Sequence, residues 1–283
     1  MSNCVDLHLH TTASDGRFSP AEIVRKAYLL GVNVIAVTDH DTVSGIDPAA
    51  EEGGKISGFT FIPGIEISTY YDKGEAHILG YYIDHHSREL LDKLETFKLS
   101  RKERAGKMVD KLNKLGMDIE WSRVEEIASG STVGRPHIAQ SLLEKGYISS
   151  FKEAFDKYIG YGGPAYVERL KTTPTEAVEM VIKAGGLPVL AHPLFSPKAE
   201  ELIKGLLPYG LVGIEVYYNG YTEEERNLLL GWSEKYHLLP TGGSDYHGLD
   251  ENTETMLGQS DVPLEVALRL IERASVTKGT SET

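Results

Sequence analysis

Cysteine is almost absent from the sequence, since Cys4 is the only one in 283 residues. A single cysteine cannot form an internal disulfide, and the cysteine clusters of structural zinc sites are excluded too. Cys4 stands at the start of a predicted strand. We therefore interpret it as a small core side chain and not as a nucleophile.

Long apolar runs and an excess of positive charge are also missing. No run approaches the roughly 18 apolar residues of a membrane span, and no basic segment followed by an apolar one marks a secretion signal, so we expect a cytoplasmic protein. The formal net charge of -13 argues against a broad surface for duplex DNA. A small anionic substrate remains compatible with this charge if some carboxylates hold cations.

Strand and helix patterns alternate through most of the chain. Capping boxes at Ser19–Glu22, Thr173–Glu176 and Thr222–Glu225 predict helix starts, and short apolar runs such as 34–38 predict buried strands. Alternation of this kind predicts a parallel sheet, and about seven strands in this length suit a barrel. We predict a distorted seven-stranded α/β barrel with its site at the C-terminal ends of the strands.

A helical segment interrupts this alternation. From 86 to 163, apolar residues recur at helical spacing: Leu94, Phe97, Met108, Val109, Leu112 and Leu115. We interpret residues 86–163 as a helical insertion that covers the active site, and residues 1–85 with 164–283 as the barrel.

Side chains that bind metals recur at the predicted strand ends. His8 and His10 alternate with apolar residues on the first strand, so their rings share one face. Further candidates follow along the chain: Asp15, His40, Glu66, His77, His192, Asp245 and His247. A lone histidine is more often an ordinary polar residue, but six of the ten histidines fall at such positions. Because these ligands exceed the needs of one ion and a carboxylate can bridge two, we predict two or three divalent ions of manganese, iron or zinc.

These motifs resemble, in order and context, those of the PHP (polymerase and histidinol phosphatase) superfamily. The matching segments are His8-Leu9-His10 with Asp15, Thr38-Asp39-His40-Asp41, Gly64-Ile65-Glu66, His192-Pro193 and Ser244-Asp245-Tyr246-His247. The resemblance implies a distorted seven-stranded barrel with three metals. It implies one ion on His8, His10, Glu66 and Asp245, a second on Glu66, His77 and His192, and a third on Asp15, His40 and His247. Catalytic roles are implied for Asp15, His40, Glu66, His192, Asp245 and His247.

A loop in the insertion adds a second resemblance. Gly134-Arg135-Pro136-His137 is similar to a loop of stand-alone PHP phosphoesterases that act on nucleoside 3',5'-bisphosphates and, from the 5' end, on short oligoribonucleotides. Pro136 suits the first helical position, so Arg135 would lie near a helix N-terminus, where an anion is favoured. We therefore predict that Arg135 and His137 bind a second phosphate of the substrate.

Together these features predict a metal-dependent phosphoric ester hydrolase. A hydroxide bridging two metals would attack phosphorus in line. The expected substrates are nucleoside 3',5'-bisphosphates, which would lose the 3'-phosphate, and short 5'-phosphorylated oligoribonucleotides. Three alternatives stay open. Another PHP phosphomonoesterase, such as histidinol-phosphate phosphatase, often has a histidine where this chain has Asp15. An amidohydrolase commonly needs a barrel lysine, and no lysine falls at a predicted strand end here. A non-catalytic metal-binding or regulatory module would be expected to lose ligands, whereas this chain keeps all of the candidates.

Overall fold

The computed structural model describes residues 4–72, 74–128, 133–168, 172–248 and 257–279. The chain divides into two compact units, the first formed by residues 1–91 with 171–283 and the second by residues 92–170. These bounds lie a few residues later than those predicted for the insertion. Among the helices within the described ranges, none is both long and apolar enough to cross a membrane.

Seven strands form one sheet in the first unit, and they lie in the order in which they follow along the chain. They are β1 (Cys4–Leu9), β2 (Val32–Val37), β3 (Thr60–Tyr71), β4 (Gly74–Tyr81), β5 (Leu187–Leu190), β6 (Gly213–Tyr218) and β7 (Leu239–Gly243). Beyond β7, Tyr246 forms an isolated bridge to Leu9, and its carbonyl accepts the N–H of His10 at 3.0 Å. The first and last strands thus come together, and the predicted distorted barrel is confirmed.

Strand β4 is the source of the distortion. It runs antiparallel to both β3 and β5, whereas the remaining neighbours in the sheet are parallel. Only residues 72 and 73 separate β3 from β4. A parallel pair would need a crossover of a dozen or more residues, so this connection permits only a hairpin. The prediction of a parallel sheet is therefore wrong for β4.

Ten helices accompany the strands in the part of the chain that the structure describes. They are α1 (Pro20–Leu29), α2 (Ile46–Gly54), α3 (Arg88–Lys114), α4 (Trp121–Ala128), α5 (Arg135–Glu144), α6 (Phe151–Ala154), α7 (Pro174–Lys183), α8 (Ala199–Leu206), α9 (Glu223–Tyr236) and α10 (Leu264–Gly279). All three predicted capping boxes form, with Ser19, Thr173 and Thr222 each accepting the backbone N–H of the third helical residue. These caps fix where α1, α7 and α9 start.

One core cluster of the first unit lies inside the barrel, and a second packs Ile23 and Val24 of α1 against Ile35 and Val37 of β2. Val5 and Leu7 of β1 are buried in one cluster with Tyr81 of β4 and Leu270 of α10. The Tyr81 hydroxyl donates to the Leu7 carbonyl at 3.0 Å, although β1 and β4 are not neighbours in the sheet. This bond therefore crosses the interior and ties opposite sides of the barrel.

The second unit has an apolar core of its own. Helices α3 and α5 contribute Met108, Leu112, Ile138 and Leu142, which are fully buried together. The predicted apolar stripe of α3 is buried except at its end, where Leu115 is 48% exposed. A separate core is consistent with a segment inserted between two parts of a barrel.

Glycine at 243 is required by the close approach of β7 to β1. A Cβ added there would lie 2.3 Å from the His8 Cβ and 2.4 Å from the His8 backbone nitrogen. We predict that Gly243→Ala lowers the free energy of unfolding by about 1–3 kcal/mol, because the backbones must separate. Urea denaturation followed by circular dichroism measures this.

Gly231, which is exposed in α9 and has no atom within 4 Å of an added Cβ, supplies the control. Gly231→Ala should raise the free energy of unfolding by about 0.5–1 kcal/mol. Equal stability of Gly243→Ala and the wild type would show that the β1–β7 approach tolerates a side chain.

Candidate active site

A single buried carboxylate, Glu66, lies at the centre of the candidate site. Its Oε1 is 2.8 Å from His77 Nδ1 and 3.2 Å from His192 Nε2. Its Oε2 faces three other imidazoles at 2.9–3.4 Å: His40 Nδ1, His10 Nε2 and His8 Nε2. The two oxygens thus address different sets of nitrogen atoms, which is the geometry required of a carboxylate shared by two cations.

The strand directions explain how these side chains meet. His8 lies near the end of β1 and His10 just beyond it, while His40 follows β2, His192 follows β5 and Asp245 follows β7. Parallel strands bring such positions to one edge of a barrel. His77 differs from the prediction for strand ends, because it lies in the first half of β4 and reaches the site only since β4 is antiparallel.

Two further carboxylates complete the group of nine candidate ligands. Asp245 Oδ1 lies 3.0 Å from His10 Nε2 and 3.3 Å from His8 Nε2. Asp15 Oδ1 lies 3.4 Å from His247 Nε2, and Asp15 Oδ2 lies 3.9 Å from His40 Nε2.

Three sets of these side chains have ligand atoms within 4.8 Å of one another: His8, His10, Glu66 and Asp245; His10, Asp15, His40 and His247; and His40, Glu66 and His77. The first set contains the same four residues as the first ion's set implied by the resemblance. The other two sets differ from those implied by the resemblance. His10 joins the set of Asp15, His40 and His247, and His40 takes the place expected for His192 beside Glu66 and His77.

The donor set fits divalent metal ions. Several of its buried atoms lie close to one another but make no hydrogen bond of suitable geometry: His8 Nε2, both ring nitrogens of His10, Asp15 Oδ1, His40 Nδ1, Glu66 Oε2 and His192 Nδ1. Buried polar atoms are normally paired, so their concentration here calls for a common partner. Imidazole nitrogens and carboxylate oxygens without thiolates suit first-row divalent metals.

The electrostatics of the cluster point the same way. Burial opposes protonation of His8 and His10, but Asp245 and Glu66 outweigh it for both, with Glu215 contributing at His8. The pKa of His8 is held well above its usual range, and that of His10 is raised to about 10. Burial alone would raise the pKa of Glu66, yet the surrounding imidazoles hold it well below normal. The carboxylates thus require positive charge, which protons or metal ions can supply.

Glu215 is a further candidate site residue, which the motifs did not predict. It is fully buried on β6, its Oε1 lies 3.0 Å from His8 Nδ1, and its Oε2 accepts the His192 backbone N–H at 2.8 Å. The contact to Nδ1 fixes the ring so that Nε2 faces Glu66 and Asp245. The sequence did carry a signal, because Glu215 is the only charged residue in an otherwise apolar and aromatic strand.

Arg135 and His137 belong to the second unit, at the start of α5. Gly134 is the N-cap, so Arg135 occupies the first helical position and Pro136 the second, one place later than predicted. His137 Nδ1 accepts the Gly134 N–H at 3.0 Å, which puts the proton of the neutral ring on Nε2. The Arg135 guanidinium lies 5.4 Å from the centre of the Phe155 ring. Both residues thus present donors beside a helix N-terminus, where anions are favoured.

We predict that Glu215→Gln weakens metal retention by about 10–100-fold, because it removes the negative charge that orients His8. The glutamine N–H₂ group would also face the N–H donor of the His8 ring or of the His192 backbone, with which it cannot form a hydrogen bond. Elemental analysis after dialysis against graded chelator concentrations measures this effect. Glu234→Gln, an exposed change in α9, is the control. Unchanged metal retention in Glu215→Gln would remove Glu215 from the site.

The comparisons with known proteins agree on one family. The PHP domain model matches residues 6–168. The chain is 36% identical over 251 residues to a 5'-3' exoribonuclease of Haemophilus influenzae, covering 87% of this chain and 91% of that protein. It is 34% identical to the 5'-3' exoribonuclease Rnm of Escherichia coli, covering 86% and 84%. It is also 29% identical to a 3',5'-nucleoside bisphosphate phosphatase of Chromobacterium violaceum, covering 92% of each.

Solved structures extend this agreement to the fold. A protein of Chromobacterium violaceum, described as an amidohydrolase with bound sulfate and no metal, has a TM-score of 0.81 at 27% identity and covers 94% of this chain and 96% of its own. A candidate metal-dependent phosphoesterase of Bifidobacterium adolescentis has a TM-score of 0.79 at 28% identity and covers 93% and 98%. The chain therefore belongs to the PHP family and is a metal-dependent phosphoesterase.

Proposed function

We propose that this enzyme removes the 3'-phosphate of nucleoside 3',5'-bisphosphates and shortens 5'-phosphorylated oligoribonucleotides from the 5' end. The observation that carries the proposal is Glu66, whose two oxygens face separate sets of imidazoles within a group of nine candidate metal ligands. The choice of substrate is supported by relatives named for exoribonuclease and bisphosphate phosphatase activities, each matched over most of its length.

We assign the ligands as the resemblance implies. His8, His10, Glu66 and Asp245 would hold one ion, Glu66, His77 and His192 a second, and Asp15, His40 and His247 a third. The first set is supported by ligand atoms within 4.8 Å of one another, and the second by the contacts of Glu66 Oε1. Manganese, iron and zinc all suit these donors.

The chain's own residues prepare the site for phosphoryl transfer. Divalent ions held by these ligands would supply an acidified water and would neutralise the charge that develops on phosphoryl oxygens. Glu215 holds His8 and the backbone of His192 in place. Tyr218 donates to Asp245 Oδ2 at 3.3 Å, and burial first, then Asp245, raises the pKa of its phenol. The phenol therefore stays protonated and keeps Asp245 oriented.

Space for a phosphate exists beside these ligands. A cavity of about 300 Å³ in the first unit is lined by His40, Glu66, Glu75, His77, His192, Phe195, Tyr218 and Asp245. This volume is at the lower end of the usual range for small-molecule sites. Its polar wall consists largely of candidate metal ligands, so a phosphoryl group entering it would meet the ions directly.

A direct test compares phosphate release from adenosine 3',5'-bisphosphate and from histidinol phosphate, with manganese supplied to both. We expect kcat/KM to be at least about 100-fold higher for the bisphosphate, equivalent to about 2.7 kcal/mol of additional transition-state binding. Elemental analysis of the same preparation should find two or three transition-metal ions per chain. A preference for histidinol phosphate, or full activity with one ion or none, would contradict the proposal.

We further propose that Arg135 and His137 bind the second phosphate of the substrate, on the strength of their motif and their place at the start of α5. We predict that Arg135→Ala raises KM for the bisphosphate by at least tenfold, since a charge-assisted bidentate contact contributes about 1.5–3 kcal/mol. KM for a simple phosphate monoester should change little.

Arg123→Ala is the matched control, because Arg123 is an arginine of the same unit that pairs with Glu126 and Glu144 at the surface. It should leave both KM values unchanged. Equal effects of Arg135→Ala on the bisphosphate and the monoester would exclude a role in binding the second phosphate.

A further inference from the structure

One wall of the cavity beside the candidate ligands is aromatic. Phe195 and Tyr218 line it together with His192. Phe195 comes three residues after His192, at the end of the 3-10 turn Pro193–Phe195, and the two ring centres lie 5.8 Å apart. Phe195 is nevertheless 62% exposed. A single exposed phenylalanine is ordinary on a protein surface, so its significance depends on how it is held.

Two tyrosines fix Phe195 at this position. Its ring meets the Tyr218 ring edge to face, with centres 5.5 Å apart, and lies 5.8 Å from the ring of Tyr221. The Tyr221 hydroxyl accepts the Leu194 N–H at 3.1 Å, and Tyr221 itself is only 8% exposed. The hydrogen bond to Tyr221 thus anchors the turn that carries Phe195, while much of the phenyl ring stays exposed to solvent.

We infer that Phe195, supported by Tyr218 and Tyr221, is a stacking surface for the nucleobase of the substrate. The inference rests on the proposed function, in which the phosphate ester belongs to a nucleotide. The group that would bind on this surface is a purine or pyrimidine ring, because a flat π system can cover the exposed face of Phe195 through offset or edge-to-face contact. The phosphate of the same nucleotide would then lie toward His192 and Glu66, across a continuous cavity wall.

The lining also indicates that the stacking surface does not select one base. Among the described residues that line the cavity, none is an asparagine, glutamine, arginine or lysine, the side chains that most often read base edges. Stacking itself accepts every base, because each has a π face. We expect kcat/KM for the four ribonucleoside 3',5'-bisphosphates to agree within about tenfold.

The experiment compares two substrates, adenosine 3',5'-bisphosphate and base-free 1-O-methylribose 3,5-bisphosphate, in the wild type and in Phe195→Ala, Phe195→Leu and Phe195→Trp. The Phe195→Ala and Phe195→Leu variants should have a kcat/KM for adenosine 3',5'-bisphosphate that is lower by about 5–150-fold, which corresponds to about 1–3 kcal/mol of stacking free energy. The base-free compound should change by less than about threefold, and tryptophan should retain activity on both. Leucine separates loss of the aromatic face from loss of apolar volume.

Each remaining outcome contradicts the inference in an identifiable way. If Phe195→Ala lowers kcat/KM equally for both substrates, Phe195 supports the site and not the base. If no variant changes the ratio between the two substrates, or if leucine replaces phenylalanine without loss, base stacking on Phe195 is excluded while the proposed function stands. If the wild type hydrolyses neither bisphosphate, the proposed function fails, and the nucleobase subsite fails with it.

Discussion

The burial of Glu66 is the constraint on which the rest of the site depends. Moving a carboxylate out of water costs several kcal/mol unless positive charge or hydrogen bonds replace the solvent. Glu66 is fully buried, and five imidazoles surround its two oxygens. It lies where β3 stops pairing with β2 in parallel and pairs with β4 in antiparallel fashion. This change of direction lets one side chain face ligands from both parts of the barrel.

Acidic residues outside the ligand set secure the strand ends that carry it. Each one accepts a backbone N–H from a neighbouring strand or its continuation: Asp6 from Ser244 at 2.8 Å, Asp39 from Thr11 at 2.7 Å, Asp41 from Ser68 at 2.9 Å and Glu215 from His192 at 2.8 Å. Hydrogen bonds to charged groups contribute about 1.5–3 kcal/mol each. The backbone is strained at His192 and Asp245, whose φ values are 26° and 54°, and the hydrogen bond from the His192 N–H to Glu215 holds the first of them.

The sequence predicts the barrel and brings the ligand types together because both follow from local rules. Alternating strands and capped helices predict an α/β sheet, about seven strands in this length suit a barrel, and histidines at the ends of parallel strands converge at one edge. The direction of β4 could have been predicted from its short link to β3, but the overall alternation favoured a parallel sheet. Glu215 belongs to no motif, and its contacts to His8 and His192 depend on tertiary register. For the same reason, spacing alone does not reveal that His40 stands beside both Glu66 and Asp15.

The ligand set also explains how a chain with a net charge of -13 can bind an anionic substrate. Only Asp15, Glu66 and Asp245 contribute carboxylates to the nine ligands. Two or three divalent ions would bring roughly four to six positive charges against these three, so the ions would more than neutralise the carboxylates that hold them. Asp6, Asp39 and Glu215 lie outside the ligand set, and backbone and side-chain donors stabilise them. The field that a phosphate meets is therefore set by the metal-binding cluster and not by the overall composition of the chain.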